Sequence, residues 1–114
     1  EIEKAYGENP KNSEDYPRIV NKTNLSRLSN LIKDTKIIFG GEYDLETCYF
    51  SPTIIDEPDI KSALMAEEIF GPILPIISYD DENQIEELMS KYEKPLALYV
   101  FSSNKNFSEK IICI

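Results

Sequence analysis

The stretch MAEEIFGPILPI, Met65 to Ile76, sets two adjacent carboxylates, Glu67 and Glu68, directly before Ile69 and Phe70. A Gly71-Pro72 break follows, and then an apolar run. Charge is ordinarily kept away from a segment entering a core, so the question is what Glu68 reaches for. Each residue carries two readings. Glu68 is a solvated carboxylate at a helix end, or a group aimed at a ligand. Phe70 packs in the core, beside a ligand, or both. Glu67 faces solvent or pairs with a Lys.

Other reactive chemistry is sparse. The chain has no His, which removes the commonest general base, the commonest metal ligand and the usual triad. Cys48 lies in ETCYFSP, at the start of an expected strand, beside aromatics and with no basic neighbour to activate it. Cys113 lies near a helical end. Both thiols read as structural. No metal site is expected. Two lone cysteines make a poor zinc site. The acidic run Asp80, Asp81, Glu82, Glu86 and Glu87 reads as capping and solvating a helix. Lys94, before Pro95, reads as a loop charge.

These residues must be positioned by a small scaffold. The 114 residues are 41% hydrophobic, with seven Tyr and five Phe, enough for one domain with a modest core. The formal net charge of −9 argues against nucleic acid and anionic membrane as partners. No apolar run approaches the roughly 20 residues that span a bilayer. Two distant cysteines do not make a disulfide framework, so reduced thiols and a cytoplasmic setting are expected. Both ends read as cut. The chain opens on charge without Met, and NFSEKIICI closes it as helix without a stop signal.

Turn chemistry makes YGENPKNSEDYP, residues 6–17, a loop. In NKTNLSRLSNLIKDT, Leu25, Leu28 and Ile32 share one helical stripe, flanked by Leu31. Asn21 or Thr23 caps the start, and the helix should end near Thr35. KIIFGG reads as a strand closed by two glycines, and CYFSPTIID as a second strand, pairing as a hairpin with a loose loop. Pro52 belongs at an edge or bulge of that strand. A short helical turn is expected around Ser62 to Met65. ILPIISY reads as a strand and DENQIEELMSKY as a helix, with Asp81 and Gln84 in a capping-box pattern. LALYVFS, residues 96–102, reads as another strand, and Asn104 onward as helix. Strand, helix, strand predicts a βαβ unit across residues 73–102, with its two strands parallel and adjacent. The fold class is therefore α/β: a βαβ unit with parallel strands plus an antiparallel hairpin.

At this point four stretches carry a resemblance. EEIFGPILPI resembles the aldehyde dehydrogenase signature of the form E-x-F-G-P. YGENPKNSEDYPRIVN, FSPTIIDEPD and KPLALYVFS resemble, in order and spacing, consecutive segments of the class 3 (fatty and aromatic aldehyde) branch. The resemblance implies that residues 1–114 are a single partial domain, the later half of a catalytic domain, following the nucleophile. The family's Gly-Gln-x-Cys nucleophile setting, its general-base Glu and its oxyanion-hole Asn have no counterpart here. By resemblance, Glu68 accepts hydrogen bonds from both hydroxyls of the nicotinamide ribose, and Phe70 packs beside the nicotinamide ring. The fit is chemically natural, since an ionised carboxylate offers two acceptors to a diol's two donors. Gly71 and Pro72 would turn the backbone sharply and fix both side chains.

The implied parent is an NAD- or NADP-dependent aldehyde dehydrogenase. It oxidises an aldehyde to a carboxylic acid through a cysteine thiohemiacetal, and is homodimeric as class 3 enzymes tend to be. The chain by itself is expected to be inactive. The alternative is a noncatalytic α/β module that keeps the family's shape for folding or association.

Overall fold

The computed structural model describes residues 1–92 and 96–113. The reading of Lys94 at Pro95 lies outside them. The chain divides into two compact units, Glu1–Ile77 and Ser78–Ile114.

The first unit opens with α1 (Ile2–Tyr6), which no periodicity signals, and a single 3-10 turn at Pro10–Asn12 inside the expected loop. Helix α2 (Lys22–Leu31) follows. Asn21 caps it, its side chain accepting from the Asn24 N–H at 2.8 Å. The helix stops four residues short of Thr35, where the chain turns and Asp34 adopts φ 60. Its apolar stripe behaves as the spacing predicts. Leu25, Leu28, Leu31 and Ile32 form the core with Phe50, Ile55, Leu64 and Ile73. Fully burying a side chain of this size contributes about 1.5–3 kcal/mol.

Against this helix lies a three-stranded sheet in the order β1 (Ile37–Phe39), β4 (Thr53–Asp56), β5 (Ile73–Ile76). A separate two-stranded hairpin joins β2 (Tyr43–Asp44) to β3 (Tyr49–Phe50). Strands β1 and β4 are antiparallel, as the hairpin reading expected, with a register irregularity between Ile37 and Phe39. Pro52 falls in the break between β3 and β4, consistent with its missing N–H. Gly40 presses against it. With φ +72, a Cβ on Gly40 would stand 2.0 Å from the Pro52 carbonyl oxygen.

The parallel pair is β4 with β5, Thr53 opposite Ile73 and Asp56 opposite Ile76. The connection carries α3 (Ala63–Ala66). The class is thus α/β with parallel and antiparallel pairing, but the βαβ unit is β4–α3–β5. This corrects the expected placement across 73–102. The Pro72 carbonyl accepts from Thr53 N–H at 2.8 Å and the Ile76 carbonyl from Glu57 N–H at 2.9 Å. Even-numbered residues of β5 therefore face β4, and Ile73 and Pro75 face the outer edge. Nor is β5 buried on both faces: Ile73 is buried, whereas Leu74 and Ile76 are exposed.

The second unit holds α4 (Glu82–Met89) and α5 (Lys105–Ile112). The Asp81–Gln84 capping box is formed. Lys110 pairs with Glu82 at 3.0 Å. Residues 96–102 form no strand, contrary to expectation. Leu96 is 97% and Phe101 94% exposed, and no described strand pairs with the segment. An apolar run expresses a demand for burial, but a strand exists only with a ladder partner. No described helix is long and apolar enough to cross a membrane.

Candidate functional site

The E-x-F-G-P stretch links α3 to β5. Helix α3 ends at Ala66, and Glu67 is already extended (φ −146, ψ 168). Glu68 is exposed, Ile69 is half-buried against the core, and Phe70 is exposed again. Ile69 is thus the anchor between two outward side chains. Phe70 leads into the bend with a left-handed φ of 46. A bulky residue in that region is an outlier held by its surroundings. The chain then bends at Gly71 and Pro72, as their turn chemistry predicts. Gly71 serves a second purpose as well. A Cβ there would lie 2.6 Å from both Leu28 Cδ atoms, so its lack of a side chain lets the motif lie against α2.

Glu67, Glu68 and Phe70 line one groove of about 750 Å³. The opposite wall comes from α2 and its lead-in: Arg18, Ile19, Val20, Asn24 and Arg27. The lead-in is tied down. Ile19 N–H donates to the Cys48 carbonyl at 2.9 Å. Arg18 lies over the Tyr49 ring, 5.2 Å from its centroid, and donates to the Tyr16 carbonyl at 3.1 Å. The Tyr16 hydroxyl donates to the Phe50 carbonyl at 2.7 Å. Burial, with Tyr49 and Tyr6 adding to it, pushes the Tyr16 phenol well above its usual range, against the opposing pull of Arg18. From α2, Arg27 donates to the Ile69 carbonyl.

Neither Glu67 nor Glu68 has a hydrogen-bond or ion-pair partner among the described residues. Both carboxylates are free to accept from a ligand. Phe70, 77% exposed, is not a core residue. A polyol presented to Glu68 and a flat ring presented to Phe70 would share one side of the groove.

The thiols lie elsewhere. Cys48 is half-buried, with φ 53, and packs on the core. Cys113 follows α5 and is exposed. Cys48 is not among the residues that line the groove. Among the described residues no cluster of His, Cys, Asp or Glu could hold a metal ion.

The groove was legible only on its E-x-F-G-P side. Arg18 and Arg27 carried no signal as site residues. Arg27 sits beside an apolar helical stripe, where a charge ordinarily marks a solvated flank.

Residues 6–113 match the model of the aldehyde dehydrogenase family, and the chain belongs to that family. Its relatives place it on the class 3 branch. It is 48% identical over 111 residues to mouse "Aldehyde dehydrogenase family 3 member A2", which covers 97% of this chain and 23% of that protein. It is 40% identical to bovine "Aldehyde dehydrogenase, dimeric NADP-preferring", covering 97% of this chain and 46% of that one. The fold matches the substrate-bound Staphylococcus aureus AldH with a TM-score of 0.93 at 39% identity, over 98% of this chain and 25% of that one. The chain therefore spans about a quarter of the mouse and staphylococcal proteins.

Proposed function

We propose that this chain serves an NAD- or NADP-dependent aldehyde dehydrogenase, a cytoplasmic homodimer that oxidises aldehydes to carboxylic acids. Residues 1–114 are the later half of its catalytic domain, and their share of the work is to place the nicotinamide riboside. The observation that carries this reading is the pairing of a carboxylate with no partner among the described residues, Glu68, with an exposed ring, Phe70, on one groove of a family member.

The nicotinamide, when bound, takes the hydride released as the aldehyde carbon is oxidised. Glu68 accepts from the two ribose hydroxyls, each such bond to an ionised group contributing roughly 1.5–3 kcal/mol. Phe70 packs beside the ring and limits where it can tilt. Fixing that geometry matters because rate falls steeply when reacting groups are misplaced. The 114 residues alone are expected to carry no aldehyde-oxidising activity, because the family's Gly-Gln-x-Cys nucleophile setting has no counterpart in their sequence. The nucleophile comes from elsewhere in the enzyme, as a thiolate that forms the thiohemiacetal.

The test is Glu68→Gln in the enzyme that carries this chain. The amide keeps one acceptor and loses the charge, so cofactor affinity should fall roughly tenfold and hydride transfer should slow. Unaltered cofactor affinity together with an unaltered single-turnover rate would rule the assignment out. Aldehyde-dependent reduction of NAD or NADP by the purified 114 residues would rule out the division of labour.

A further inference from the structure

We propose that Arg27 is a positioning residue for the cofactor site, holding the Ile69 peptide so that Glu68 and Phe70 face the groove; the proposal rests on the ribose reading of Glu68. Arg27 reaches across 42 residues of sequence to donate to the Ile69 carbonyl. That carbonyl belongs to the peptide joining Ile69 to Phe70, whose φ of 46 is the strained point of the stretch. Left-handed backbone at a bulky residue is strained and persists only where neighbours over-determine it.

Three contacts do so here, and Arg27 is the polar one. The Ile69 side chain packs on the core. The next residue on α2, Leu28, meets the bare face of Gly71. The Arg27 guanidinium then fixes the orientation of the Ile69–Phe70 peptide plane, which neither apolar contact specifies. Glu68 and Phe70 flank this clamped residue, so rotating the plane would redirect both. A guanidinium suits the task because its planar fork bonds a carbonyl in a defined direction. Glu67 and Glu68 share the groove with Arg27, yet no ion pair joins it to either; the guanidinium donates to the Ile69 carbonyl instead.

The experiment measures cofactor and ADP dissociation constants for Arg27→Met, Arg27→Lys, Glu68→Gln and the Arg27→Met/Glu68→Gln pair in the enzyme that carries this chain. ADP has the adenosine and diphosphate but no nicotinamide ribose. Met keeps the apolar stem and removes the donor. Arg27→Met should weaken cofactor binding roughly tenfold, the scale of one charge-assisted hydrogen bond, and leave ADP binding unchanged. Lys, which retains a cationic donor, should recover part of the loss. The double variant should bind no worse than the weaker single variant, because both changes act on one contact. If Glu68→Gln alone leaves cofactor binding intact, the ribose reading fails. If Glu68→Gln weakens it and Arg27→Met does not, only the present proposal fails. Equal losses for cofactor and ADP, fully additive losses, or failure of both Arg27 variants to fold would each make Arg27 a structural residue and overturn the proposal.

Discussion

Gly71 lies against Leu28 so closely that one added methyl group would stand 2.6 Å from both ends of the Leu28 side chain. Leu28 is fully buried and has nowhere to retreat in a close-packed core. We expect Gly71→Ala to destabilise the protein by about 1–3 kcal/mol, the usual cost of overpacking. Denaturant unfolding of the variant measures the loss. A midpoint equal to that of the parent would show that the contact relaxes freely.

A second expectation concerns alkaline pH. Burial raises the folded-state pKa of Tyr16, with Tyr49 and Tyr6 adding to it. Between the unfolded value, about 10, and the higher folded value, the unfolded chain holds fewer protons. The stabilisation is therefore complete below pH ~10 and is lost as pH climbs toward the folded pKa. Tyr16→Phe should flatten that decline. It should also lower neutral-pH stability by about 1–3 kcal/mol, because the Phe50 carbonyl loses its donor in a buried setting. Thermal melts from pH 8 to 11 compare the two proteins; parallel curves would contradict the assignment.

The acid limb has the opposite sign. A hydrogen bond from Lys11 holds the Asp44 carboxyl well below the usual carboxylate range, helped by the Thr47 side chain and the Glu46 N–H. Its contribution is present above the unfolded carboxyl value, about 3.9, and falls away as pH drops through the folded one. Asp44→Asn should therefore show a shallower loss of stability below pH ~4. Acid titration followed by circular dichroism reads the difference.

Helices were legible wherever periodicity and caps agreed. Asn21 with the Leu25–Leu28–Ile32 stripe, and Asp81 with Gln84, both appear where their chemistry requires. Pairing was less legible. Residues 73–76 and 96–102 are both mainly apolar, yet of the two only the first finds a ladder among the described residues, because composition does not name a neighbour. The motif itself was readable by its similarity to the family signature. The residues that hold it were not. The clamp of Arg27 on Ile69, and the Gly71–Leu28 contact, depend on α2 folding back across the motif. No local pattern records that distance.

The outer rim of β5 has a bearing on how the protein behaves in company. Ile73 spends its N–H on the Gly71 carbonyl at 2.9 Å, and Pro75 has none to give. Within the strand, the side of β5 that no described strand pairs offers acceptors without donors. A foreign strand laid there could complete only half of its ladder, a poor seed for runaway stacking in a sheet that leaves Leu74 and Ile76 bare.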